Sequence, residues 1–182
     1  ALLSLRANEP YCALTILPCG APNFKIFGAR RAVDEIDALA TNRSEAYQNK
    51  AEGLFSIFLG LENGSALGSS LERIEEFYEA GVRYITLCHS RNNQICDSCA
   101  SKVKRWGGLS PFGKELIGEM NRIGMLIDVS HISDASFYDV IDCSSKPVVA
   151  THSCCRALAG HPRNMTDDMI RVLASNGGVI QI

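Results

Sequence analysis

The chain has 182 residues with a hydrophobic content of 46%, which suits one domain with a packed core. Its formal net charge is −2 and its pI is near 6.1, so it offers no basic field for binding nucleic acid. No apolar run is long enough to predict a membrane-spanning segment.

Six short apolar runs predict β-strands. They are continuous rather than alternating, as expected for strands that are covered on both faces. Helical patterns separate most of them, and this β/α alternation favours a parallel sheet with outer helices, although it does not distinguish an open doubly wound sheet from a barrel. In chain order the predicted strands are Ala13–Leu17, Leu54–Leu61, Tyr84–Cys88, Leu126–Val129, Val148–Thr151 and Val179–Ile182.

Local signals locate the helices and one long loop. Ser110 and Pro111 supply a cap and a first-turn proline for a helix that Gly124 ends. The polar segment Thr41–Glu52 predicts either a helix or a loop, and Cys96–Gly108 predicts a surface loop. Helices are predicted at Val33–Leu39, Leu71–Gly81, Ser110–Gly124, Ser133–Ile141 and Thr166–Gly177.

The eight cysteines are numerous for this length but do not have the spacing of a disulfide scaffold. They predict mostly free, partly buried thiols. A bridge between Cys96 and Cys99, or a redox role for this pair, is the alternative.

Metal-type or acid–base side chains follow four consecutive predicted strands. Glu62, His89 and His152 come directly after a strand, and His131 comes two residues after one. Because the carboxyl ends of parallel strands meet at one edge, we expect these side chains to lie together. Such oxygen and nitrogen ligands suit Zn²⁺ or a similar divalent ion, which converts a bound water into a hydroxide able to attack an amide. The ordinary alternative for each residue is a hydrogen-bonded loop position.

Several long motifs resemble the membrane (renal) dipeptidase family of zinc metallopeptidases. They cover the chain from about Leu54 to the C-terminus, and the resemblance is weak before that residue. The motifs are Gly81–Ser90, Leu109–Glu115, Met120–Asp134, Thr151–Ser153 and His161–Met165 followed by Asp167 and Asp168.

The resemblance implies an α/β fold of the (β/α)₈ TIM-barrel type with a two-zinc site that hydrolyses dipeptides. It makes Glu62 the carboxylate that bridges two zinc ions, and His131 and His152 the ligands of one zinc. It makes His89 the residue that polarises the substrate carbonyl and stabilises the oxyanion. It assigns Arg163 to the substrate's C-terminal carboxylate, a role that suits the paired donors of a guanidinium.

The sequence departs from the family pattern at important places. Asn63–Ser65 stands where the family usually has two glycines and a histidine. No His-x-Asp pair, which holds the other zinc in the family, occurs in the chain, and Ile182 precedes any strand that could carry the family's proton-handling aspartate. The resemblance therefore predicts that residues 1–182 are one barrel domain lacking the first and last strands, with the six predicted strands as the second to seventh of eight. Ligands for only about one zinc are present, and we expect these residues alone to be inactive.

Two other functions stay open at this stage. One is a barrel amidohydrolase acting on cyclic amides or N-acyl amino acids, and the other is a non-catalytic binding domain with half a metal site. Arg156 is a competitor of Arg163, His161 is expected to have a structural or rim role, and Asp128 to be buried, hydrogen-bonded support for the ligands. Family members are often dimeric, so a homodimer is a further expectation of the resemblance, whereas no cellular compartment is indicated.

Overall fold

The computed structural model describes residues 37–182, together with the backbone of two earlier strands. Five helices and eight strands alternate along most of this length. In chain order they are β1 (Leu2–Leu3), β2 (Cys12–Pro18), β3 (Asp37–Leu39), α1 (Arg43–Ala51), β4 (Phe55–Glu62), α2 (Glu72–Glu79), β5 (Val82–Thr86), α3 (Pro111–Ile123), β6 (Leu126–Asp128), α4 (Asp134–Cys143), β7 (Val149–Ala150), α5 (Asp167–Ser175) and β8 (Val179–Ile180).

All eight strands belong to one sheet. Its main path runs β1-β2-β4-β5-β6-β7-β8, and the six strands from β2 to β8 along this path pair in parallel. Strand β1 pairs antiparallel to β2, and β3 pairs in parallel with the first residues of β4. A parallel order that follows the chain, with a helix between most neighbours, is the topology of a barrel wall rather than of a doubly wound sheet, whose strand order reverses.

Side-chain caps explain where the helices begin. Ser110, Ser133 and Thr166 each accept a hydrogen bond from a backbone N–H in the first turn of the helix that follows. These contacts satisfy donors that the helix itself leaves unpaired. Gly124 ends α3 at a φ of 83°, a left-handed conformation that favours glycine.

The two faces of the sheet are covered differently. On the outer face Ile85 and Ile127 are buried in one core with α3 and α4 residues such as Leu116 and Phe137. Neighbouring strand residues point to the opposite, inner face. There Leu126 remains 43% exposed although it lies in the middle of the sheet. The helices thus cover the outer face, while the inner face is only partly covered.

Gly60 and Tyr84 fit together on the inner face. The two residues are register partners on β4 and β5, and a Cβ at Gly60 would overlap the Tyr84 ring. Glycine is therefore required where the ring crosses β4. The Tyr84 hydroxyl is buried and has no hydrogen-bond partner among the described residues.

The structure confirms the six predicted strands, with ends that shift by a few residues. It corrects the helix predicted to end at Leu39, because residues 37–39 form β3; the start of that prediction lies outside the described residues. For Thr41–Glu52, where the sequence predicted either a helix or a loop, the structure shows helix α1. The loop Cys96–Gly108 is present, but its residues Cys96–Ser98 are buried rather than on the surface.

Two remaining predictions concern the thiols and the membrane. Cys96 and Cys99 are both free, as are the other cysteines in the part of the chain that is described, so no bridge joins this pair. Within the same residues, no helix has the length and apolar character needed to cross a bilayer.

Candidate metal centre

Four strand ends bring the predicted ligands to one edge of the sheet. Glu62 is the last residue of β4, and His89 lies three residues beyond the end of β5. His131 follows β6 by three residues, and His152 follows β7 by two. Because these strands are parallel neighbours, their carboxyl ends deliver all four side chains to the same place.

The side chains converge on one carboxylate oxygen. Glu62 Oε1 lies 3.2 Å from His131 Nε2, 3.2 Å from His152 Nε2 and 3.6 Å from His89 Nε2. The Nε2 atoms of His131 and His152 are 2.9 Å apart. Glu62, His89 and His131 each offer one donor atom, and these three atoms lie close enough together to hold one metal ion. His152 is at least as close to the carboxylate as His89, so four donor atoms are available at this point.

The protonation state of His131 makes the cluster suitable for a cation. Burial, reinforced by the positive charges of Arg163, His89 and His152, lowers the pKa of His131 from 6.5 to about 3. The imidazole is therefore neutral at ordinary pH and carries a lone pair on one ring nitrogen. A neutral imidazole beside a second imidazole and a carboxylate oxygen brings several possible metal donor atoms to one point, where a divalent cation can replace the protons that otherwise link them. The donor set of one carboxylate and two or three imidazoles fits Zn²⁺.

Backbone conformation helps to aim the ligands. Asn63 and His131 are the non-glycine residues with positive φ in the described part of the chain, at 80° and 71°. Asn63 follows the predicted ligand Glu62, and its Oδ1 accepts hydrogen bonds from the Ser65 N–H at 3.1 Å and the Ser65 hydroxyl at 2.7 Å. Asparagine tolerates the left-handed region better than most residues. This explains how it can replace the glycine that the family usually has here.

Asp128 lies beneath the histidines and is fully buried. It accepts hydrogen bonds from the Thr86 and Thr151 hydroxyls and from the backbone N–H groups of Ser130 and Thr151. The expected buried, hydrogen-bonded role is confirmed. Sequence reasoning missed both threonines, because threonine is common in strands and nothing in its spacing distinguishes a support residue.

The two candidate arginines have different partners. Arg156 forms two 2.7 Å hydrogen bonds with the Asp134 carboxylate, so its guanidinium already has an anion. Arg163 donates from Nη2 to the His152 carbonyl at 2.8 Å, and its Nη1 is buried with no partner among the described residues. The exposed His161 accepts the Arg163 backbone N–H at Nδ1, which agrees with a rim position. Of the two arginines, Arg163 is the one with a free donor beside the cluster.

A loop that sequence reasoning treated as surface supports His89. The Ser98 hydroxyl donates to the His89 carbonyl at 2.5 Å. The buried Asp97 carboxylate accepts the backbone N–H groups of Arg105, Trp106 and Gly107, which closes the loop on itself. No sequence signal indicated Asp97 or Ser98, because their roles depend on how the loop folds back.

The fold and the cluster define a class of protein: a parallel β/α barrel wall whose strand ends carry carboxylate and imidazole side chains that could hold a metal ion. The family can now be identified. Residues 29–182 match the family model described as membrane dipeptidase (peptidase family M19), and the chain belongs to that family. The match begins well before Leu54, where the sequence motifs had suggested that the resemblance starts.

Similar proteins agree with this assignment. The chain is 39% identical over 142 residues to the dipeptidase tcpJ of Claviceps purpurea, covering 74% of this chain and 33% of that protein. Among solved structures, the probable dipeptidase PvdM from Pseudomonas aeruginosa matches with a TM-score of 0.80 and 31% identity, covering 86% of this chain and 40% of that one.

A second solved structure is a metallo peptidase from Rhodobacter sphaeroides, liganded with a phosphinate mimic of the dipeptide L-Ala-D-Ala. It matches with a TM-score of 0.76 and 26% identity, covering 85% of this chain and 45% of that one. The six parallel strands and their helices thus correspond to part of the barrel of these relatives, which confirms the expected fold class. The chain spans about a third of the length of the curated relatives that it matches.

Proposed function

We propose that the protein to which this chain belongs is a zinc-dependent dipeptidase. In this proposal Glu62, His131 and His152 would hold metal, and Glu62 would be the carboxylate shared by the two zinc ions that the resemblance implies. His89 binds the carbonyl oxygen of the scissile bond, and Arg163 binds the C-terminal carboxylate of the dipeptide. The observation that carries the proposal is the convergence of the His131 and His152 Nε2 atoms on Glu62 Oε1, each at 3.2 Å.

When bound, Zn²⁺ would supply a Lewis acid and a water of lowered pKa. The protein residues have separate tasks around it. His89 lies 3.6 Å from the carboxylate oxygen of Glu62, and its side chain is 45% exposed, so a substrate can reach it. An imidazole N–H at this place can donate to the carbonyl oxygen as negative charge develops there, which is where a hydrogen bond accelerates amide hydrolysis most.

Arg163 accounts for the preference for a short peptide with a free carboxylate. Its Nη1 is buried without a partner among the described residues, and a substrate carboxylate would satisfy that donor. Arg163 also lies beside the cluster, because its Nη2 donates to the His152 carbonyl at 2.8 Å. A substrate held by its C-terminus at Arg163 would therefore have its peptide bond close to the proposed metal ligands.

A substrate comparison on the purified, zinc-loaded product of the complete gene tests the proposal. We expect hydrolysis of Ala-Ala and little or none of N-acetyl-alanine or dihydrouracil, with activity removed by a chelator and restored by zinc. Glu62→Gln should abolish turnover, because an amide is a far weaker metal ligand. Glu76→Gln, which changes an exposed carboxylate on α2, should leave turnover unchanged.

Two results would contradict the proposal. Faster hydrolysis of the N-acyl amino acid or the cyclic amide would identify an amidohydrolase of the other kind. Stable zinc binding with no hydrolysis of any of the three would favour a binding domain.

A further inference from the structure

The hydrogen bonds of the buried Asp128 carboxylate connect it, through Thr151, to His152, one of the proposed metal ligands. Its Oδ1 accepts the N–H groups of Ser130 and Thr151, both at 3.0 Å. Its Oδ2 accepts the Thr86 hydroxyl at 2.5 Å and the Thr151 hydroxyl at 2.6 Å. The residue is fully buried, so no water competes for these positions. The proposed function assigns it no task.

The Thr151 hydroxyl joins Asp128 to His152. Its oxygen lies 2.6 Å from Asp128 Oδ2 and 2.7 Å from His152 Nδ1, whereas Asp128 Oδ2 itself is 4.0 Å from that ring nitrogen. A hydroxyl has one proton to donate and lone pairs with which to accept. Because a carboxylate can only accept, the Thr151 proton points to Asp128, and the hydroxyl oxygen is left to accept a proton from His152 Nδ1.

The contact with Thr151 favours the tautomer of His152 that carries its proton on Nδ1. With the proton on Nδ1, the lone pair lies on Nε2, the atom 3.2 Å from Glu62 Oε1 and 2.9 Å from His131 Nε2. The opposite tautomer would need the Thr151 proton for His152 and would remove one of the two hydroxyl donors of the buried Asp128 Oδ2. Leaving such an acceptor underbonded is unfavourable.

We propose that Asp128 and Thr151 form a relay that sets the tautomer and ring orientation of His152, so that its Nε2 is ready to bind metal. Both are positioning residues, since neither reaches the metal position itself. The inference rests on the proposed function, because it assumes that His152 is a ligand, and it adds residues that determine how well that ligand binds. Partners of this kind typically contribute 10- to 100-fold to metal affinity.

The first test uses the unmodified, metal-free product of the complete gene. In protein labelled with ¹⁵N-histidine, long-range ¹H–¹⁵N spectra above the pH of imidazole titration distinguish the two tautomers, and His152→Gln assigns the signals. We expect the proton on His152 Nδ1. A proton on Nε2 would overturn the relay, whatever any variant does.

The second test compares three variants by zinc competition with a chromophoric chelator. Thr151→Val removes the link, Thr151→Ser keeps the hydroxyl, and Thr86→Val removes a different hydroxyl from the same Asp128 oxygen. We expect Thr151→Val to weaken zinc binding by about 10- to 100-fold and to lose the Nδ1-protonated signal. Thr151→Ser and Thr86→Val should stay near the unmodified protein in both measurements.

The Thr86→Val control distinguishes an effect on the orientation of His152 from a general loss of hydrogen bonds to Asp128. Equal losses of zinc affinity in Thr151→Val and Thr86→Val would overturn the relay, and so would an unchanged affinity in Thr151→Val. Failure of the unmodified protein to bind zinc would instead overturn the proposed metal site, while the tautomer measurement would still decide whether the relay exists.

Discussion

The proposed metal side of the site, formed by Glu62, His131 and His152, differs in construction from the proposed substrate side, formed by His89 and Arg163. The metal-side side chains are between 11% and 25% exposed and sit at or just beyond strand ends. On the substrate side, His89 is 45% exposed and is supported by Ser98. Arg163 comes from the loop between β7 and α5.

The difference shows which part of the chemistry the sheet determines. Strand ends have fixed spacing, so the metal side is set by the register of β4, β6 and β7 and by buried hydrogen bonds. Loops can change without altering that register. We therefore expect metal chemistry to be the stable property of this fold, and substrate preference to depend on the loops that carry His89 and Arg163.

The largest expected effect concerns residues 1–182 expressed alone. The chain spans about a third of its relatives' length and contains no His-x-Asp pair, so it lacks the residues that the dipeptidase resemblance assigns to the second zinc. We expect no dipeptidase activity with added zinc and at most about one bound ion by metal analysis. Apolar inner-face residues such as Leu126 and Val179, already more than two-fifths exposed, should favour aggregation.

The comparison to make is with the product of the complete gene, assayed side by side on the same dipeptide. Turnover of residues 1–182 at the rate of the complete protein would contradict both the barrel register and the two-zinc arrangement. If residues 1–182 bound zinc but did not hydrolyse the dipeptide, metal binding and substrate turnover would be shown to be separable.

A smaller effect is expected from Arg163→Met in the complete protein. Removing the guanidinium should lower kcat/KM for a dipeptide by an amount corresponding to about 2–5 kcal/mol, as for a lost buried charge pair. A dipeptide amide has no carboxylate, so it should be a poor substrate that is insensitive to the change. Arg156→Met is the matched control, because that guanidinium is already paired with Asp134. Equal losses on the acid and the amide would assign Arg163 another role.

The side chains of the cluster and the residues that support them differ in how far the sequence predicts them. Glu62, His131 and His152 could be placed together because each follows a recognisable apolar strand and parallel strands end at one edge. Among the supports of the site, only Asp128 was expected from the sequence. Asp97 and Ser98 act through a loop that folds back under His89, and the Thr151 hydroxyl lies between Asp128 and His152. Such contacts depend on tertiary packing that no local pattern encodes.

Strand β3 illustrates the same limit in the fold. Residues 37–39 follow a helical spacing in the sequence, yet they pair with the start of β4. The edge of β4 offers unpaired backbone groups at Phe55–Ile57, and pairing with them outweighs a weak local preference. Gly60 is the converse case, because its need for glycine is visible only once the Tyr84 ring is seen to cross it.

The smallest expected effect is the pH dependence of stability in the metal-free protein. The pKa of His131 is lowered to about 3 by burial in the folded state, whereas its ordinary value is 6.5. Between these values the unfolded chain binds a proton that the folded protein excludes, so the free energy of unfolding should fall as pH falls from about 6.5 to about 3. Rearrangement of the folded protein around His131 should make this fall in unfolding free energy smaller.

Denaturant unfolding of the metal-free complete protein across this pH range measures the effect, with His131→Gln as the control. The variant lacks the titrating group, so its unfolding free energy should fall less steeply. If the unfolding free energies of the two proteins fell equally with pH, burial of His131 would not be the cause of the pH dependence.

The proposed dipeptidase activity depends above all on Glu62, His131 and His152 holding a metal ion. Anomalous diffraction at the zinc absorption edge, from zinc-loaded crystals of the complete protein, tests it most directly. We expect a peak within about 2.0–2.3 Å of Glu62 Oε1 and of the Nε2 atoms of His131 and His152. Full zinc occupancy elsewhere in the protein, with no peak among these three atoms, would contradict the account.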